Sequence, residues 1–452
     1  MSPPPPTTYL GVDESRWGSN IGWIAVDDTI CPSPDKCPHY KEEEEMINLE
    51  AHSSPIHLLI ASYRDKLCAR TLHNAFSKAE HPDRLHIRII EQTQPGSDLI
   101  DDVQCWERYC EEYNNACSQY RKNVYIHNVD SRESKGPTDA RSKLSSLILY
   151  DYLHPSSPML SPVSPQDYCM QTDSHMDFSP NFDTSLVLMH HRTKNDYAVL
   201  STYVSPIENN GLDLSEVPLL CMATFTSTIR NWGTKACRNL LTPKLTNAMW
   251  GAGLSFHRCH GELNVPYDPY LDKVFDGEEA SRGLRFFTHG YDMYAPDRVL
   301  VTHDYKGHQG NAVVHSVNLL MGISDSQPSV ALKIRASRYG LGTLRTLQQA
   351  SEFMGLDFAR RTMVSNKCGN LLWVPWEAPE GEEDYGVGET LRRGIWEEEG
   401  KVLEGPDGTI GGKGEIMGHL GNQSLMMGAC GLAFVGILFA MGRGRKTNRH
   451  KN

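Results

Sequence analysis

The chain has 452 residues, 39% of them apolar and 22% charged, and 56 acidic against 44 basic side chains give a formal net charge of −12. This length suits one large α/β domain with appendages, or two to three ordinary domains. The apolar fraction excludes full disorder, the charged fraction excludes a polytopic membrane protein, and the acidic balance argues against nucleic acid as a partner.

Residues 1–50 read as a flexible acidic leader, with a proline run, Cys-Pro and Ser-Pro turns, and consecutive glutamates at 42–45. The opening MSPPPPTTYL has neither the basic nor the apolar region of a secretory signal peptide. Regular structure is expected from Ile56. An apolar run at 56–61 predicts a buried strand, and Leu72, Ala75, Phe76 and Ala79 recur at helical spacing. Further strands are predicted at 85–90, 124–127 and 168–172. A polar helix is predicted over 103–120. Leu144, Leu147 and Ile148 place another helix, capped at Thr138 or Asp139. A Ser/Pro-rich loop, 155–166, precedes the fourth strand, 198–204 predicts one more, and 205–250 reads as mixed and loop-rich. Strand–helix alternation repeated three times predicts a doubly wound, mostly parallel sheet, whose ligands bind beyond the carboxyl ends of the strands.

The expected body is 51–365, followed by an acidic linker at 366–424, an uncharged apolar stretch at 425–442 and a basic tail at 443–452. The apolar stretch has the length of a short membrane-spanning helix, which makes the membrane a partner. Twelve cysteines are scattered without a CxxC pair. Reduced, mostly buried thiols are the expectation, although Cys105, Cys110 and Cys117 share the predicted 103–120 helix.

The strand-end rule directs attention to 62–65, 91–94, 128–136 and 173–175. No Gly-x-Gly-x-x-Gly follows the first strand, and no Walker lysine motif, His-Glu-x-x-His or Gly-x-Ser-x-Gly occurs. Asp173-Ser174-His175 puts a carboxylate and an imidazole two residues apart at a strand end. Both can reach one divalent cation, which can neutralise a diphosphate. His303, ending a later apolar run, is the candidate third ligand. Glu278 and Glu279 pair two carboxylates that can orient an acceptor hydroxyl or act as a base. The plainer reading of that pair is an acid-rich helix N-terminus.

IASYRD (60–65), GPTDAR (136–141), QTDSHMDF (171–178), WGAGLSF (250–256), VPYDPYLDKVFDGEE (265–279) and THGYDMYAPDRVLVTHDY (288–305) stand in this order. Together they resemble the family of cytoplasmic protein-hydroxyproline N-acetylglucosaminyltransferases, and YGLGTLRTL (339–347) resembles that family's end. The resemblance implies a GT-A fold, UDP-GlcNAc as donor, a divalent metal (Mn2+ or Mg2+), and transfer to a protein hydroxyl with retention at the anomeric carbon. Carried over by position, it makes Asp173, His175 and His303 the metal site. It puts Arg64 and Asp65 at the nucleotide and Arg141 at the diphosphate. Trp250, Gly251 and Gly253 match a segment that shapes the sugar pocket, and Glu278 and Glu279 match an acidic pair near the acceptor. Asp304 stands where many relatives have a second histidine. The implied partner is an acceptor protein, such as a ubiquitin-ligase adaptor. The rival readings are a different UDP-sugar or a Ser/Thr acceptor, a metal-dependent hydrolase, and a silent binding module. An apolar segment so near the last residue suggests a cytosolic-facing tail anchor, with a soluble cytoplasmic enzyme second and a lumenal transferase third.

Overall fold

The first four predicted strands form in the computed structural model, which describes residues 23–25, 51–193, 195–209, 216–225, 229–237, 243–247, 249–275, 277–306 and 339–365. They are β1 (Ile56–Tyr63), β2 (Leu85–Thr93), β3 (Val124–Asp130) and β4 (Tyr168–Asp173). Their order is β3–β2–β1–β4, and every pair is parallel. Successive residues Leu58, Leu59 and Ile60 are all buried, so β1 is covered on both faces, as the interior of a parallel sheet requires. Helix α1 (Cys68–Lys78) buries Cys68, Ala69, Leu72, Ala75 and Phe76, a stripe at three- and four-residue spacing that joins Leu58 and Ile60 in the main core. Helix α2 (Pro137–Leu153) packs against β1 and β2.

Beyond β4 come the short strand β5 (Met176–Phe178), helix α3 (Phe182–Arg192), β6 (Ala198–Ser201), β7 (Leu254–Arg258), helix α4 (Glu278–Thr288), β8 (Asp292–Ala295) and β9 (Val301–His303). The main sheet has eight strands and extends from β4 through β7, β6, β8 and the two-residue strand Lys244–Leu245. β7 is antiparallel to β4 and β6, whereas β8 is parallel to β6, so the sheet is mixed but mostly parallel. A second small sheet joins β5, β9 and Ser205–Pro206.

Four expectations change. The 103–120 helix is two helices, Cys105–Glu112 and Asn114–Tyr120, broken at Tyr113, whose φ of −130° and ψ of 47° are not helical. A Cys110–Cys117 disulfide spans the break, and the Tyr113 ring stacks on His73 with centroids 3.8 Å apart. The cap of α2 is Gly136, with a φ of 97° open to glycine and Pro137 as first helical residue, so Thr138 and Asp139 lie within the first turn. The stretch read as loop-rich contains an antiparallel pair, Glu216–Phe225 with Ile229–Cys237, and Trp23–Ala25 of the leader adds to its edge in parallel.

The fourth change concerns the cysteines. Disulfides join Cys68 to Cys105, Cys110 to Cys117 and Cys169 to Cys259, and Cys221 is also disulfide-bonded. The expectation of mostly reduced thiols is therefore overturned. Spacing along the sequence could not reveal two of these bonds because they join cysteines 37 and 90 positions apart, which only the folded chain brings together. The described residues belong to one unit, Met1–Gly394, while the unit Ile395–Asn452 lies outside them. Among the described residues no helix is long and apolar enough to cross a membrane, and the apolar stretch 425–442, the acidic linker from 366 and the basic tail lie outside them.

Candidate metal centre

Three turns of chain meet past the carboxyl ends of β1 and β4. After β1, Arg64 takes a left-handed φ of 46° and turns the chain, and its N–H donates to Gln92 O at 2.9 Å. Asp65 closes the turn by accepting from the Leu67 N–H at 2.8 Å. β4 ends at Asp173, and the chain passes through Ser174 and His175 into β5. Thr71 of α1 secures that passage. Its hydroxyl donates to Ser174 O at 2.8 Å and accepts from the Met176 N–H at 2.8 Å. His303 ends β9, whose antiparallel register sets it opposite Met176, and the Asp304 N–H donates to His175 O at 2.9 Å. Strand pairing thus brings together residues 128 positions apart.

The three expected ligands converge. His175 Nε2 and His303 Nε2 are 2.9 Å apart, and Asp173 Oδ2 is 3.5 Å from His303 Nε2. One ligand atom from each of Asp173, His175 and His303 lies within 4.8 Å of the others. Two imidazoles and a carboxylate at this spacing fit a divalent cation. Asp65 orients the set: its Oδ2 accepts from His175 Nδ1–H at 2.7 Å and from Ser174 Oγ at 2.5 Å. That bond fixes which ring nitrogen carries the proton and aims Nε2 at the other two ligands. Burial opposes charge on Asp173, yet the His303 contact and the Arg141 and His175 charges hold its carboxyl well below the usual range. Burial likewise opposes charge on His175, and Asp65 and Asp173 outweigh it, raising the imidazole above its ordinary value.

The remaining expected residues are placed less uniformly. Asp65 is buried, and both its carboxylate oxygens accept from protein donors, His175 among them. Arg64 donates through Nε and Nη2 to the two carboxylate oxygens of Asp102, at 2.8 and 2.9 Å, a two-pronged pair that engages its guanidinium. Arg141 donates from Nη2 to Asp173 Oδ1 at 2.8 Å and from Nη1 to Glu278 Oε1, so it bridges two carboxylates where a diphosphate contact was expected. Burial disfavours the Arg141 charge, and Glu278, Tyr267 and Asp173 outweigh that cost. Asp304 accepts from Arg70 Nη2 at 2.9 Å, and of the 303–304 pair it is His303 that lies with Asp173 and His175.

Helix α4 begins after Gly277, whose φ of 99° favours glycine, and this turn presents Glu278 and Glu279 in its first turn. Glu278 is buried and accepts from Arg141 and from Tyr267 OH at 2.8 Å. Glu279 is half-buried and accepts from Tyr203 OH at 2.6 Å and from the Ala252 N–H at 3.1 Å. Burial pushes its carboxyl up to about 7. Gly251 and Gly253 flank Ala252. A Cβ on Gly251 would come within 2.7 Å of Thr202 O, and one on Gly253 would lie 3.6 Å from Asp173 Oδ2. Trp250 is fully buried and its indole N–H donates to Ser255 Oγ at 2.9 Å, so it packs beneath the loop. Tyr203, Tyr267 and Ser174 were not singled out in the sequence. Tyr267 and Ser174 lie inside quoted motifs, whereas Tyr203 lies in the 198–204 stretch expected as a strand, outside every quoted motif.

Comparison with known proteins adds the family. Among solved structures, similarity extends to GalNAc-T7 with UDP, GalNAc and Mn2+, at 16% identity and a TM-score of 0.40 over 57% of this chain and 45% of that one. It also extends to the mannosyltransferase PcManGT from Pyrobaculum calidifontis in complex with GDP-Man and Mn2+, at 10% identity and a TM-score of 0.33 over 61% and 66%. A third is S. aureus TarS 1-349 in complex with UDP-GlcNAc, at 10% identity and a TM-score of 0.30 over 56% and 59%. The chain thus spans less than half the length of the first of these. No curated protein matches it. The family model described as Glycosyltransferase (GlcNAc) matches residues 55–105 and 100–318, more than half of the chain, and takes in the Asp65, Asp173, His303 and Glu279 turns together; the chain is a glycosyltransferase of that family.

Proposed function

We propose that this glycosyltransferase moves N-acetylglucosamine from UDP-GlcNAc to a hydroxyl of an acceptor protein, hydroxyproline being the favoured acceptor, with retention at the anomeric carbon and with a divalent cation bound, Mn2+ ahead of Mg2+ because two of the three converging groups are imidazoles. The observation that carries the reading is the convergence of Asp173, His175 and His303 beyond the strand ends, within a body that the GlcNAc family model matches. A cation held there supplies Lewis-acid neutralisation of the leaving diphosphate. The protein's own groups do the rest. Asp65 orients His175, and Arg141 holds Asp173 toward the site. Glu279, half-buried and raised to about 7, accepts or orients the proton of the acceptor hydroxyl. Its bond to Ala252 joins the acceptor side to the loop whose Gly253 leaves room beside Asp173. The body excludes water by burying Glu278, Arg141 and Tyr267 around one another.

A donor screen tests this. The full chain, with Mn2+ or Mg2+ and each UDP-sugar, is read by UDP release and acceptor labelling. UDP-GlcNAc with a hydroxyproline peptide should label best. Preference for another UDP-sugar, or for Ser/Thr peptides alone, would replace the donor or acceptor named here, and cleavage without UDP-sugar would indicate a hydrolase. For the compartment, the disulfides favour an oxidising lumen over the cytosolic face expected from the sequence. Protease treatment of intact microsomes separates the two: a lumenal catalytic body survives until detergent is added.

A further inference from the structure

Among the described residues a second set of metal-ligating side chains converges, well away from the transfer site. Ligand atoms of His52, Glu80 and His81 lie within 4.8 Å of one another. His52 Nδ1 and His81 Nε2 are 2.6 Å apart, and the two rings meet edge to face with centroids 4.8 Å apart. The cluster is open to solvent on the Glu80 side.

The backbone that carries these three side chains is fixed by one buried ion pair. Asp183, at the start of α3, accepts from the N–H groups of Glu80 and His81 at 2.8 and 3.1 Å. Arg84 donates to the same carboxylate from Nε at 3.1 Å and Nη2 at 2.9 Å. The remaining Arg84 nitrogen donates to Ala51 O, the residue before His52, and reaches Ser54 O at 3.5 Å. Asp183 and Arg84 are both buried. The pair therefore holds the segment around His52 and the segment of Glu80 and His81 in one fixed relation, before any ligand arrives. Preorganised donors lose less freedom on binding than donors on loose loops.

We propose that His52, Glu80 and His81 form a structural site for a divalent transition-metal ion of the zinc type. Two imidazoles and one carboxylate match Zn2+ chemistry, with a solvent molecule to complete a tetrahedron, and imidazoles disfavour Mg2+ and Ca2+. The position argues for a structural role. His52 precedes β1, and Glu80 and His81 precede β2, so the donors sit at the amino ends of parallel strands. Asp65 and Asp173 lie at the carboxyl ends of β1 and β4. An ion here clasps the entry to β1 onto the α1–β2 connection and does not touch the transfer chemistry.

The test uses the full-length chain, stripped with a chelator and titrated with Zn2+ alone against a chromophoric chelator. A His175→Ala/His303→Ala background removes the other cluster. One equivalent of Zn2+ should bind in that background and raise the thermal midpoint, as a ligand specific for the folded state does. Mg2+ should not. Adding His52→Ala and His81→Ala should weaken Zn2+ binding by about 100-fold or more, beyond the range seen for outer-shell changes. Glu80→Gln, at an exposed side chain, should weaken binding with circular dichroism unchanged. It decides the matter if the double histidine variant fails to fold. Absence of Zn2+ binding in the background variant, or Zn2+ affinity unchanged by Glu80→Gln, overturns the proposal.

Discussion

At the scale of single residues, Glu279 is the group whose chemistry is most exposed to experiment. Its carboxyl is raised from an ordinary 4.5 to about 7 by burial. If its anion receives the acceptor proton, activity rises with pH through about 7. Glu279→Gln should remove that limb and lower turnover by about 10²–10⁴-fold, the general acid–base range. A pH–rate profile of both forms checks it, and full activity in the variant would sink the assignment. The sign for stability is the reverse. A raised carboxyl binds its proton more tightly in the folded chain, so this contribution is full below about 4.5 and is lost as pH rises through about 7. Asp65 gives the second residue-scale prediction. Asp65→Asn removes the acceptor that sets the His175 tautomer and should weaken Mn2+ affinity by about 10–100-fold, measured calorimetrically. Metal-free UDP binding should stay unchanged, and a fall there instead would restore the nucleotide role expected from the sequence. The convergence of Asp173, His175 and His303 was legible because Asp-x-His followed a strand and His303 ended an apolar run. The work of Asp65 and Arg141 was not, because their partners lie 110 and 32 or 137 positions away, and only the folded sheet brings them together.

At the scale of elements, apolar runs identified β1 and β2, which are buried on both faces, while the edge strand β3 is half-exposed and was marked only by Val124 and Ile126. The break at Tyr113 escaped because a disulfide leaves no periodic trace, and the 216–237 hairpin escaped because its second strand, IRNWGTKAC, is largely polar and gives the apolar run at 217–223 no matching partner. The loop before β7 shows what close backbone approach demands. Gly251 donates its N–H to Ser201 Oγ at 2.9 Å, and a Cβ there would press on the Thr202 carbonyl at 2.7 Å. Backbone cannot swing aside as a side chain can. Gly251→Ala should therefore destabilise by about 1–3 kcal/mol, the usual cost of overpacking. Gly253→Ala, whose Cβ meets the Val204 side chain at 3.1 Å, should cost less. Thermal unfolding of the two variants orders them, and equal midpoints would contradict the difference.

At the scale of the whole molecule, the Cys169–Cys259 bond joins β4 to the residue after β7 across 90 positions of sequence. A closure that long constrains the unfolded chain strongly, and its loss should cost about 2–4 kcal/mol. Cys169→Ala/Cys259→Ala, or reduction of the native chain, should lower the unfolding midpoint accordingly; a midpoint insensitive to a phosphine reductant would show the bond contributes nothing. Arg141 spans a different distance. One guanidinium grips Asp173 with one nitrogen and Glu278 with another, and α2, β4 and α4 are thereby read by a single rigid fork. A disturbance on one carboxylate is then transmitted to the other without any movement of the sheet. In a double-mutant cycle, Asp173→Asn and Glu278→Gln should depart from additivity by about 0.5–3 kcal/mol in transition-state stabilisation. On the proposed reading, donor binding and acceptor chemistry would then evolve as one linked trait, so that a change beside Glu278 selects for compensation at Asp173.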